Sequence, residues 1–144
     1  MIAKNIDEFI NSFVKNPSFS YIKKGKSYFL KVDELNDFVD LKFSCFSLPL
    51  GEDGKFFKPS LFLLELLSRE SSNKIFLNDT AEWLFLCGRD AFLSNISKNN
   101  SKCDVFLVQN SRDENLGLGT KTKHKGKVII KNIVDRGDFL RREK

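Results

Sequence analysis

The residues best placed to do chemistry crowd into one short run: Lys121, Lys123, His124, Lys125, Lys127 and Lys131. His124 is the chain's single histidine. No Ser or Cys nucleophile motif and no orienting carboxylate stand near it, so no catalytic triad is spelled out. An imidazole among lysines reads instead as solvated or as facing a polyanion. Alternation along a strand puts Lys121, Lys123 and Lys125 on one face and Thr122 and His124 on the other. The same rule puts Lys127, Ile129 and Lys131 on one face, but the turn at Gly126 leaves the relation between the two groups open. Ammonium groups about 6.6 Å apart, twice the strand rise, suit a phosphate backbone.

The other candidate groups offer less. Leu116-Gly117-Leu118-Gly119 lacks the third glycine and the following helix of a dinucleotide loop, so it reads as a strand with close backbone approach. Asp135 and Asp138 favour the positive end of a short terminal helix. Glu52 and Asp53 read as solvent-facing turn residues, too few for a cation site. Cys45, Cys87 and Cys103 are widely spaced, contain no C-x-x-C and read as buried reduced thiols. No catalytic, metal or cofactor set emerges, and the chain reads as a non-enzyme.

These groups need elements to hold them. Apolar residues at Ile6, Phe9, Ile10, Phe13 and Val14 have helical spacing, closed by Pro17. Ser18–Tyr21 and Ser27–Val32 read as a hairpin around Gly25. Asp33 caps a short helix through Val39, and residues 41–48 read as a strand. Gly51-Glu52-Asp53-Gly54 is turn chemistry. Pro59 opens an apolar helix over 60–68.

The polar stretch Ser71-Ser72-Asn73 marks a boundary, giving an N-terminal α/β module over 1–72 and a second module over 73–144. In the second, 74–77 reads as a strand. Asp79 and Glu82 have capping-box spacing, and the helix closes at Cys87-Gly88. Residues 91–96, 105–108, 116–122 and 128–130 read as strands, 97–102 and 112–115 as loop and turn, and 135–141 as a final turn or helix. Five strands and a helix in so short a span predict an α+β fold with a mixed-strand pseudo-barrel. Trp83 on its helix reads as core or as a partner contact; Phe139 reads as packed under the last turn or offered to a base.

Charge sharpens the picture. The 144 residues carry 24 basic and 19 acidic side chains, a formal +5. Residues 121–144 alone hold nine basic against three acidic groups, while the other 120 hold 15 against 16. The whole excess therefore sits at one end, either as a polyanion-attracting field or as a solubilising tail. At 41% hydrophobic and 30% charged residues, with no apolar run near the ~20 needed to span a bilayer, the chain is expected to be soluble and intracellular, without a membrane role.

Three ordered motifs carry a resemblance: Thr80-Ala81-Glu82-Trp83-Leu84-Phe85-Leu86-Cys87-Gly88, then Val105-Phe106-Leu107-Val108 with Leu116-Gly117-Leu118-Gly119, then Asp135-Arg136-Gly137-Asp138-Phe139-Leu140-Arg141-Arg142. With Ile130-Lys131-Asn132, they resemble the PUA domain of the Nip-seven family of large-subunit ribosome-biogenesis factors, in its archaeal form. Phe46-Ser47-Leu48, Gly54-Lys55-Phe56 and the helix from Ser60 resemble the family's N-terminal half. Thr80 replaces the family's glycine, Cys87 its usual aromatic, and Val128 and Val134 hold positions that are often basic.

The resemblance implies a PUA pseudo-barrel that binds single-stranded U-rich or AU-rich RNA during pre-rRNA maturation. It also implies links to assembly factors and the RNA-degrading exosome. Alternatives are a protein-binding adaptor or a trans-acting targeting module of an RNA-modifying enzyme. The RNA-binding set expected is Lys121, Lys123, His124, Lys125, Lys127, Lys131, Arg136, Arg141 and Arg142. The protein is expected to be a monomer without cofactor or metal, cytoplasmic in an archaeon and nucleolar or nuclear in a eukaryote.

Overall fold

Asn5 begins the first helix because its side chain is short enough to fold back: its Oδ1 accepts from the Glu8 amide at 2.9 Å. The computed structural model describes residues 3–31 and 48–138. The readings at Asp33–Val39, residues 41–47, Cys45, Phe139, Arg141 and Arg142 lie outside the described residues. The chain divides between Glu70 and Ser71 into two compact units.

In the first unit, α1 (Ile6–Asn11) buries Ile6, Phe9 and Ile10. The Phe9 ring lies 5.1 Å from Phe13 and 5.4 Å from Phe57, and Tyr28 meets Phe57 edge-on at 5.8 Å. Such tilted aromatic pairs add to the burial of their area. Strands β1 (Ser20–Lys24), β2 (Ser27–Lys31), β3 (Pro49–Glu52) and β4 (Lys58–Pro59) form an antiparallel sheet in that order.

Several sequence readings change here. Gly51 and Glu52 belong to a strand, not a turn, because β3 finds partners on both sides. Asp53 is not simply solvent-facing: it accepts from the Tyr28 hydroxyl at 2.9 Å and pairs with Lys23 Nζ at 3.1 Å. Helix α2 (Leu61–Glu70) starts one residue after the expected place. Ser60 caps it, with Oγ accepting from the Leu63 amide at 3.1 Å, and Pro59 ends β4 instead.

The second unit is built on a six-stranded mixed sheet ordered β6-β10-β9-β8-β5-β7. Its members are β5 (Lys74–Leu77), β6 (Ala91–Phe92), β7 (Ile96–Asn99), β8 (Val105–Gln109), β9 (Asn115–His124) and β10 (Lys127–Asp135). β5 pairs parallel to β8; the other ladders are antiparallel. The sheet curls into a nearly closed pseudo-barrel. Helix α3 (Asp79–Leu86) sets Ala81 and Phe85 into a core with Ile75, Leu77, Ala91, Phe106, Val108, Leu116 and Ile130.

The cap of α3 is Asn78, whose Oδ1 accepts from the Ala81 amide at 2.9 Å; Asp79 is the first helical residue rather than the cap. The helix closes at Cys87 before Gly88, as the sequence predicts. The expected strand over 91–96 is broken by a 3-10 turn, Leu93–Asn95, and the stretch read as a loop supplies β7 instead. Polar residues can form that strand because β7 is an edge of the sheet, so its outer side needs no apolar partner.

The glycines of the motifs have steric reasons. At Gly117, φ is +154°, and a Cβ would stand 2.0 Å from the Val134 carbonyl oxygen. The β10 register shifts between Asn132 and Val134 at this point, so a bulge and a glycine fit each other. At Gly137 a Cβ would stand 1.7 Å from the Leu86 carbonyl oxygen, so the turn that follows β10 lies directly on the end of α3. The Gly-x-Gly strand is thus a packing device, as its sequence suggests.

Candidate nucleic-acid interface

β9 and β10 outrun their neighbours. The last β8 partner of β9 is Thr120, and β6 reaches β10 only at Ile129 and Ile130. Beyond these points Lys121–His124 and Lys127–Val128 continue as a two-stranded ribbon. Its tip turns on Lys125 (φ +51°) and Gly126 (φ +80°). Positive φ at both central residues matches the right-handed twist of a tight hairpin. Lys121, Lys123, His124, Lys125, Lys127 and Lys131 are all exposed.

The register decides which side each cation occupies. Lys123 lies opposite Val128 and Lys121 opposite Ile130, while His124 lies opposite Lys127 and Thr120 opposite Lys131. Directly opposed residues share a face. Lys121 and Lys123 therefore share one face with Ile130, the barrel-core side. His124, Lys127 and Lys131 share the other with Thr122 and Ile129. The basic run forms no single row; it clothes a thin ribbon on both sides.

Arg136 stands apart from this group. Its amide donates to the Leu116 carbonyl at 2.9 Å and its Nε to the Asn115 carbonyl. Those contacts place it at the opposite end of the β9–β10 ladder, so the structure does not bring it together with the lysines. A guanidinium held by a backbone carbonyl there braces the start of β9.

Among the described residues, the ribbon lysines have no carboxylate partners. The ion pairs of this unit include Lys74–Asp113 at 3.0 Å, Arg112–Glu114 at 2.9 Å and Arg112–Glu82 at 3.9 Å. None includes Lys121, Lys123, Lys125, Lys127 or Lys131. Glu82, Asp113 and Glu114 gather around the β8–β9 turn. There Asn110 Nδ2 donates to Glu82 at 3.1 Å and to Glu114 at 2.8 Å, and Gln109 Nε2 donates to Asp113 Oδ1 at 2.9 Å. One end of the barrel is thus ion-paired, while the other carries five lysines outside those pairs, with Asp104 at the base of the ribbon, where its carbonyl accepts from the Lys121 amide at 3.0 Å.

That turn has a pH signature. Burial pushes the Asp113 carboxyl up, but hydrogen bonds from Gln109 and Lys74 outweigh it and hold the group below its ordinary value. Glu114 is held low by the Asn110 amide and then by Arg112. A carboxyl depressed in the folded state stabilises fully above its unfolded value, about 4, and the contribution fades as pH falls through the folded value. Acid unfolding of Asp113→Asn/Glu114→Gln is therefore expected to be flatter below about pH 4 than that of the unaltered chain, with near-neutral stability lower. Melting temperatures from pH 2 to 7 check this; parallel curves would contradict it.

Some exposed groups escape the sequence reading. Trp83 is 69% exposed, so the core reading of it is overturned. The signal was available: Ala81 and Phe85 alone fill the buried side of so short a helix. Cys87 and Cys103 are exposed rather than buried, Cys87 because it is the cap residue and Cys103 because it precedes β8 in a bend. Phe92 is 56% exposed, on a strand that stops after two residues. Among the described residues, no helix is long and apolar enough to cross a membrane.

A mixed six-stranded pseudo-barrel packed by a short helix, with one end basic and unpaired, defines a PUA domain, a class of RNA-binding module. Residues 73–144 match the UPF0113 PUA domain family, and the chain belongs to that family. It is 34% identical over 106 residues to a UPF0113 protein of Archaeoglobus fulgidus, the match covering 66% of this chain and 60% of the relative. A UPF0113 protein of Aeropyrum pernix is 35% identical over 96 residues, covering 65% and 53%. The matches thus span little more than half the length of these curated relatives. A conserved PUA domain protein from Thermoplasma acidophilum has the same fold at a TM-score of 0.55 and 18% identity, over 90% of this chain and 83% of that one.

Proposed function

We propose that the chain is a non-catalytic RNA-binding factor in maturation of the large ribosomal subunit, gripping single-stranded U-rich or AU-rich pre-rRNA with its β9–β10 ribbon. The observation that carries this reading is a set of five exposed lysines on a PUA pseudo-barrel, four on the ribbon and its tip and Lys131 in the adjoining ladder, without carboxylate partners among the described residues. The resemblance of its motifs to the Nip-seven family supports the ribosomal assignment. Five neutralised phosphates on a single strand give a salt slope of about −3.5, or roughly a hundredfold loss of affinity from 50 to 200 mM salt. Titration of the purified chain with a U-rich single strand tests this. Salt-independent binding, or none, overturns it.

A second role rests on Trp83. An indole 69% exposed on α3 suits a protein partner, in keeping with contacts to assembly factors or the exosome. Trp83→Ala is expected to weaken such a complex by roughly 30-fold or more, since buried interface tryptophans rank among the residues costliest to truncate. RNA affinity and melting temperature stay unchanged. Pull-down of assembly factors from the source cells, alongside RNA titration, checks both.

A further inference from the structure

We propose that Phe92 is a stacking platform for an unpaired base, so that RNA lies along the outer face of β10 with its bases turned toward β6. This rests on the RNA-binding reading and deepens it by assigning a base contact.

The register brings the parts together. Phe92 lies opposite Ile129, and Ile129 lies opposite Thr122. The row Phe92–Ile129–Thr122 therefore crosses three adjacent strands on one face. Lys127 and Lys131 stand two residues to either side of Ile129 on that face, about 13 Å apart along the strand. His124 extends it beyond Thr122. Phe92 is thus placed one strand away from the midpoint between two exposed lysines.

The position suits stacking for three reasons. β6 is an edge strand, so among the described residues no strand of the sheet lies beyond Phe92. The ring is 56% exposed, while Ala91 beside it is only 2% exposed in the core and anchors the strand. The Phe92 amide donates to Asn95 Oδ1 at 3.0 Å, which locks the 3-10 turn that follows. An exposed phenyl ring on a fixed backbone forfeits little freedom when a base covers it. Asp90, two residues before Phe92, has its Oδ1 engaged by the Asn132 amide at 2.9 Å. Lysines without carboxylate partners flanking an open aromatic ring are the pairing that single-strand binders use: charge for the backbone, a π-face for the base.

The test compares Phe92→Ala, Phe92→Trp and Lys127→Glu/Lys131→Glu in the full chain, titrated with a U-rich single strand and with duplex RNA. Phe92→Ala is expected to lose roughly 5- to 150-fold affinity for the single strand, with the salt slope unchanged and duplex binding unaltered. Phe92→Trp retains or gains affinity. Single-strand affinity unchanged in Phe92→Ala, with the lysine pair still required, overturns the stacking site and leaves RNA binding in place. An equal loss for duplex and single strand also overturns it, because a paired base offers no free face. Absence of RNA binding by the unaltered chain overturns both readings. A melting temperature matching the unaltered chain confirms that a loss in Phe92→Ala is not unfolding.

Discussion

Charge reversal at Lys127 and Lys131 together is expected to weaken single-stranded RNA binding by more than tenfold at about 100 mM salt and to flatten the salt slope by about 1.4. Both residues are exposed, and among the described residues neither belongs to an ion pair, so their replacement breaks none. The slope is the more telling quantity. A lysine that neutralises a phosphate releases counterions, and each lost contact on a single strand removes roughly 0.7 from the slope. Lys121→Glu/Lys123→Glu alters the opposite face of the ribbon and is expected to change the slope by a similar amount. It removes charge from the side of the ribbon that lacks Phe92. Fluorescence anisotropy at four salt concentrations measures both pairs, and circular dichroism confirms their folding. Unchanged affinity and slope in both would dissociate the ribbon from RNA.

The largest effect on stability is expected at Gly137. A Cβ there would overlap the Leu86 carbonyl oxygen at 1.7 Å and stand 2.9 Å from Asp135 Oδ1, and neither the end of a helix nor a buried carboxylate yields cheaply. Gly137→Ala should cost on the order of 3–5 kcal/mol, placing it in the upper tail of single substitutions. Gly117→Ala should cost as much, since it combines a positive φ with a backbone oxygen at 2.0 Å. Gly126→Ala supplies the comparison. It has φ +80° but open space around it, so only the backbone conformation is penalised, by about 1–2 kcal/mol. In thermal unfolding the first two should melt roughly 10–20 °C lower and Gly126→Ala only a few degrees lower. Equal shifts for Gly117→Ala and Gly126→Ala would mean that conformation, rather than close approach, is what Gly117 provides, and a shift of only a few degrees for Gly137→Ala, which has no positive φ, would contradict its close approach.

These two predictions also divide what the sequence could reveal from what it could not. β5 and β8 were legible because continuous apolar runs bounded by polar turns have few other readings, and the end of α3 was legible at Gly88. The glycine strand announced close packing by type alone. The cap of α3 was misplaced by one residue because Asn78 and Asp79 both have side chains suited to capping, and only the backbone path distinguishes them. The loop over 97–102 hid a strand because an edge strand needs no apolar alternation, only a partner to pair with.

The candidate site was half legible. Its lysines were plain from composition and charge. Their faces were not, because alternation within a strand fixes parity only up to the turn. A two-residue turn at Lys125-Gly126 pairs His124 with Lys127, so every cross-strand pair as far as Asn132 joins an odd-numbered residue to an even-numbered one. The odd-numbered lysines of β9 and β10 therefore fall on opposite sides. Arg136 looked like part of the basic group because it is near in sequence, but β10 carries it the length of the ladder away. Phe92 was invisible, because a partner strand of two residues leaves no periodicity to read.

Crosslinking in living cells, followed by sequencing of the attached RNA, bears most directly on the central claim. It should be performed on the unaltered chain and on one with Lys121, Lys123, Lys127 and Lys131 all changed to Glu. The account predicts large-subunit ribosomal RNA on the first and its loss from the second. A dominant tRNA signal, or the same ribosomal signal from both chains, would contradict it.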